Sequence, residues 1–187
     1  MTNRKTLINI IKYFAKFPDK QGVLEHFTKT SSDISGYSDL KDYVTNLDPG
    51  LMSDIKYFLF GINDERLSEK IRDLDDFFML IEYGVISASS EDRANTRDTT
   101  FDLSVIIGHP TDRKADDFFE WLILDDQCLD LILDLKELIQ DDDDAEAICG
   151  NEEFLDSNII IAPIEPALIH DCVAWTMSFK KHDNTLI

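Results

Sequence analysis

Residues 77–110 read "FFMLIEYGVISASSEDRANTRDTTFDLSVIIGHP", two apolar runs on either side of a polar stretch. The first run, residues 77–89, has the aromatic and β-branched bias of a strand, and Gly84 inside it marks a bulge or bend. The second alternates more cleanly. Phe101, Leu103, Val105 and Ile107 fall on one face and Asp102 and Ser104 on the other, which predicts a half-buried strand. Two such runs make a hairpin. The stretch "SSEDRANTRD" between them, residues 89–98, is longer than a tight turn requires. Such a loop is either mobile or an arm that reaches a neighbour, and as an intersubunit loop it offers Asp92, Arg93 and Arg97.

Upstream of the hairpin, Leu7, Ile8, Ile11, Phe14 and Ala15 recur at helical spacing until Phe17 and Pro18 end the run. Shorter helical pieces are predicted around residues 23–27 and 40–47, with "DPG" as a turn after them. "IKYFLFG", residues 55–61, is a short strand, and "NDERLSEKIRDLD", residues 63–75, a helix. Downstream comes a long helix over about residues 115–140, then a short strand in "SNIIIAPIEP" and a last one in "HDCVAWTMSFKKHD". In that last strand Val173, Trp175, Met177 and Phe179 share a face. The order predicts an α+β protein: a mostly antiparallel sheet with one long helix packed across it, plus N-terminal helices. Trp121 and Trp175 are expected to be mostly buried where the long helix meets the last strand. The chain is divided into a helical region, 1–60, and the α+β domain, 61–187.

The 187 residues carry 38 acidic and 18 basic side chains, a net charge of −20, together with 43% hydrophobic residues. Such a chain folds and is not an acidic disordered tail. Its acidity is concentrated in residues 61–150, which hold 25 acidic and 8 basic groups. Phosphate repels a surface of that sign, which argues against sequence-specific nucleic-acid binding and against docking on anionic lipid. The N-terminal "MTNRKTLINIIKYFAKFPDK" is read as an amphipathic helix and not a signal peptide, and no apolar run has the length of a membrane span. Cys128, Cys149 and Cys172 are odd in number and lack CxxC spacing, as in packed, reduced thiols.

The long helix ends in "DDDD", residues 141–144, where the helix carries partial negative charge and acids are unfavourable. At about 100° per residue, Asp126, Asp130, Asp134, Glu137 and Asp141 form one stripe about 80° wide. An ordinary solvated face mixes signs, whereas Asp126, Asp130 and Asp134 repel at i,i+4 spacing. The stripe, continued by Asp142, Asp143 and Asp144, is the candidate interaction face. Apolar residues fill most of the remaining circumference, more than one sheet face can bury. The N-terminal helices or another subunit must cover the surplus.

Catalytic motifs are absent from the sequence: there is no GxGxxG, Walker loop, GxSxG or HExxH. The aspartate run lacks the alternation and central glycine of a calcium loop. His170, Asp171 and Cys172 alternate faces in a strand and cannot converge on one zinc ion. His109 is read as a turn histidine. No enzyme activity, catalytic residue, metal or cofactor is expected.

The hairpin, the long helix and the final "D-x-x-A-W-x-M-x-F" strand, together about residues 64–182, resemble the tail-terminator and tail-completion proteins of bacteriophages and the related ring proteins of the phage neck. The resemblance implies a structural virion protein in a homo-oligomeric ring, stacked on portal, neck or tail proteins. The genome would pass through it without specific binding, and no membrane would be involved. It would be made in the bacterial cytoplasm and reside in the virion, with residues 1–60 as an added collar or interface. Eight acids, Asp126 to Asp144, would then line the lumen or its rim, where repulsion of phosphate is useful. The alternative is an acidic inhibitor, an immunity protein or nucleic-acid mimic, whose carboxylates pair with Lys and Arg of a basic partner.

Overall fold

A computed structural model of the chain describes residues 6–61, 65–90, 97–111, 118–142, 159–164 and 172–182. Apolar spacing forms α1 (Thr6–Phe14), which buries Ile10, Tyr13 and Phe14 along one face. Asp19 caps α2 (Lys20–Leu24), its carboxylate accepting from the Gln21 N–H at 2.9 Å. Gly22 in that helix lies against the Lys56 carbonyl with no room for a Cβ, so a larger residue would push α2 off the strand that follows. α3 (Tyr37–Thr45) starts after Gly36, which holds φ at 89°. The turn after it is laced back onto the end of α1, with Leu51 and Met52 donating to the Lys16 and Phe17 carbonyls.

The rest is one five-stranded sheet with the helices α4 (Glu65–Arg72) and α5 (Phe118–Gln140). Its strands are β1 (Tyr57–Gly61), β2 (Phe78–Ser90), β3 (Arg97–Pro110), β4 (Ile160–Pro163) and β5 (Cys172–His182), in the order β1-β2-β3-β5-β4. The β1–β2 pair is parallel and the others antiparallel. The expected α+β architecture is therefore present. The register of β2 on β3 shifts between Tyr83 and Ile86, around Gly84, at the bulge that glycine marks in the sequence.

Alternation along the strands feeds two cores. Met79, Ile81, Leu103, Val105, Ile107, Met177 and Phe179 point to one face, where α1 and α5 cover them. Phe78, Leu80, Ile106 and Ala174 point to the other, where Ile71 of α4 joins them. The division placed at residue 60 runs through β1, and Phe14, Phe17 and Phe58 of the first 60 residues belong to the same core as Met79, Val105 and Met177. Among the described residues no helix is long and apolar enough to cross a membrane.

Two expectations need correction, and one boundary lies outside the described residues. The long helix is described from Phe118, residues 112–117 lying outside the described set. Trp121 is not buried: it is 38% exposed, because the first turns of α5 carry it away from the covered part of the sheet. Trp175 is half-buried, and its Nε1–H donates to Asp125 Oδ1 at 3.0 Å. The hairpin strands also run further than the loop reading allowed. Ser89 and Ser90 pair with Asp98 and Arg97, so Arg97 is a strand residue, while Asp92 and Arg93 lie outside the described residues.

Candidate interaction face on the long helix

The buried residues of α5 are Cys128, Ile132, Leu135 and Ile139, which span only about 60° of the helix circumference. The acidic stripe lies roughly opposite that arc. Asp126, Asp130, Asp134, Glu137 and Asp141 are all exposed, on the side turned away from the sheet. A sheet face of this size covers a narrow strip of helix, and the carboxylates take the side left in water.

The stripe is joined by acids from other elements. The segment at residues 51–56 runs alongside α5 and leaves two shallow grooves of about 370 Å³ each. Asp54 and Asp76 meet Asp130 in one, with Lys56 beside them; Asp54 meets Asp134, Glu137 and Asp141 in the other. Sequence spacing on a single helix could not reveal Asp54 or Asp76, because only the fold brings residues 54 and 76 to α5. Among the described residues no group of three or more His, Cys, Asp or Glu is placed to hold a metal ion. The acids make a spread negative field rather than a chelating cluster.

Asp142 has a different environment. It pairs with Lys16, just past α1, and both side chains are largely covered. Lys16 also sits over the Tyr13 ring, 4.1 Å from its centroid. This places a cation at the C-terminal end of α5, where it interacts favourably both with the acid and with the partial negative charge of the helix end. At least one of the four terminal aspartates thus ties α5 to α1. Asp143 and Asp144 lie outside the described residues.

The surplus apolar surface of α5 is divided. Along the second half, Phe14 and Phe17 share the core with Ile132, Leu135 and Ile139, Leu131 and Leu138 pack against it, and Leu133 stays exposed. Along the first turns Phe118, Phe119, Leu122 and Ile123 are exposed, and Phe118 stacks on Trp121 with ring centroids 6.3 Å apart. Phe119 and Ile123 lead directly into the acidic stripe.

His109 is not in a turn: it is the next-to-last residue of β3, opposite Val173 of β5, packs edge-on against Phe77 at 4.8 Å and donates through Nδ1 to the Pro110 carbonyl. Of the His170, Asp171 and Cys172 sequence, Cys172 is buried and the other two lie outside the described residues.

Fold and face together define an α+β protein whose long helix shows solvent an acidic stripe headed by an aromatic patch. No protein-family model, curated protein or solved structure matches the chain.

Proposed function

We propose that the chain is a structural virion protein of a phage neck or tail, one subunit of a ring through which the genome passes. The observation that carries this reading is the apolar patch of Phe118, Phe119, Leu122 and Ile123 at the head of the acidic stripe. Contiguous exposed apolar surface of this kind marks a protein interface, and a second copy of the chain is the occupant the ring reading assigns to it. Subunits joined there would bring their stripes side by side. Repulsion between a carboxylate wall and phosphate would then keep DNA moving instead of bound.

Mass in solution tests the first half. Light scattering on the purified chain is expected to give a closed oligomer, and the double variant Phe119→Ser, Ile123→Ser a monomer with an unchanged circular-dichroism spectrum. A parent chain that stays monomeric at every concentration reached would remove the ring.

The stripe is tested separately. The combined variant Asp130→Asn, Asp134→Asn, Glu137→Gln, Asp141→Asn is expected to fold at least as stably as the parent, since like-charge spacing costs a few tenths of a kcal/mol per pair. Particles that carry it should assemble and deliver fewer genomes. Normal delivery would take these residues out of the DNA path. Under the inhibitor alternative, a monomeric parent would bind a basic protein, and the same variant would associate with it more slowly and with weaker salt dependence.

A further inference from the structure

Residues of α2, α3, α4 and the edge strand β1 line a pocket of about 640 Å³, within the about 300–1,000 Å³ of small-molecule sites. Val23, Phe27, Leu40, Val44, Phe58 and Phe60 give it apolar walls. Besides Tyr37 and Tyr83, its polar side chains are His26 and Lys70.

Their hydrogen bonds define the state of each. His26 Nε2 contacts the Phe58 backbone carbonyl, which can only accept, so Nε2 carries the proton. Nδ1 then holds a lone pair, and it accepts from Lys70 Nζ at 3.1 Å. Burial, followed by the nearby Lys70 charge, holds the imidazole below its ordinary pKa, which agrees with a neutral ring. Burial also lowers Lys70, and Glu25 acts on it in the opposite sense. Among the described residues Lys70 forms no ion pair. An ammonium has three donors and the histidine takes one. Lys70 is thus a cation lining an apolar cavity in a chain of net charge −20, with donors beyond the one that the histidine takes.

We propose that this pocket binds a small amphiphilic carboxylate, its apolar body among Val23, Phe27, Leu40 and Phe58 and its head group on Lys70 Nζ. The charge pattern selects a monoanion. One lysine is a point charge without the fork of donors that phosphate sites use, and Glu25 nearby opposes a second negative charge. A neutral apolar ligand gains nothing from the lysine, whereas a carboxylate accepts a charge-assisted hydrogen bond from it. The site is independent of the ring reading, since none of its residues belongs to the stripe or the aromatic patch.

Titration calorimetry of the full chain with decanoate, decanol and decyltrimethylammonium reads the assignment. Decanoate is expected to bind one to one, decanol at least tenfold more weakly, and the cationic analogue not at all. Lys70→Gln, an exposed substitution that should leave the fold intact, is expected to weaken decanoate about tenfold and decanol not at all, since one charge-assisted hydrogen bond is removed. Leu40→Trp, which fills the pocket from the half-buried side of α3, should abolish binding of both. No heat with decanoate, equal affinity for decanoate and decanol, or an unchanged affinity in Lys70→Gln would each overturn the proposal. Decanoate binding that survives Leu40→Trp would place the ligand elsewhere and overturn it too.

Discussion

Alanine in place of Phe14 is expected to lower the unfolding free energy by about 3–5 kcal/mol, the range for a large aromatic truncated inside a core. Phe14 is fully buried. Its ring meets Tyr13 edge-on at 5.0 Å, stacks on Phe179 of β5 at 6.4 Å, and shares its core with Ile132 and Ile139 of α5. Removing it opens a cavity where the N-terminal helix, the sheet and the long helix meet. Domains are stable by about 5–15 kcal/mol in total, so this one change removes a large share. Urea denaturation followed by tryptophan fluorescence measures the loss, because Trp121 and Trp175 report on α5 and β5 while the mutation is in α1. One cooperative transition at lower urea is the expected result. A loss below about 1 kcal/mol would mean that α1 is peripheral to the core.

The second large effect is kinetic. Cys128 and Cys172 are buried, and both thiols are pushed up from 9.0 to about 12, chiefly by burial, with Asp125 adding to the effect on Cys128. Only the thiolate attacks an alkylating reagent, and a shift of this size lowers its share at pH 8 about a thousandfold. In a Cys149→Ser variant, which retains only these two thiols, native protein should react with iodoacetamide at least a thousandfold more slowly than protein in urea. Comparable rates in the two states would show that the thiols are accessible. The same shifts bear on stability. The folded pKa lies above the unfolded one, so the unfolded chain gives up protons that the folded chain keeps. The contribution is therefore complete below about pH 9 and is lost as pH rises from there toward about 12. Urea midpoints should fall across the alkaline range.

The sheet was legible because its signals are local. Alternation in residues 101–107 follows from a strand with its backbone shared between two neighbours, and Gly84 identified a bulge that the register of β2 on β3 contains. The stripe on α5 was legible for the same reason, as helical periodicity places five carboxylates on one side. The apolar arc was misjudged at Trp121. Its position around the helix matches the core-facing residues, yet its position along the helix lies beyond the cover, and periodicity carries no information about where a supporting sheet stops. The loop was drawn too long at both ends because Ser89, Ser90, Arg97 and Asp98 are polar. Strand pairing there depends on the partner strand and not on the side chains' preference. The pocket at His26 and Lys70 left no mark in the sequence, since its lining comes from residues 11 to 83 with no shared spacing.

By itself the sequence determined the element order, the α+β class, the concentration of negative charge in residues 61–150 and the single-sign stripe, all of which depend on neighbours within a few residues or on composition. Tertiary structure alone decided which acids stay exposed and which is engaged: Asp142 is taken by Lys16, 126 positions away, whereas Asp130 and Asp134 stay exposed and are met by Asp54. It also decided that Phe14, Phe17 and Phe58 share the main core with the sheet, and that the aromatic start of α5 is left exposed. These are contacts between segments far apart in the chain, and they are set by which apolar faces can be buried together, a property of the packed whole that no local pattern encodes.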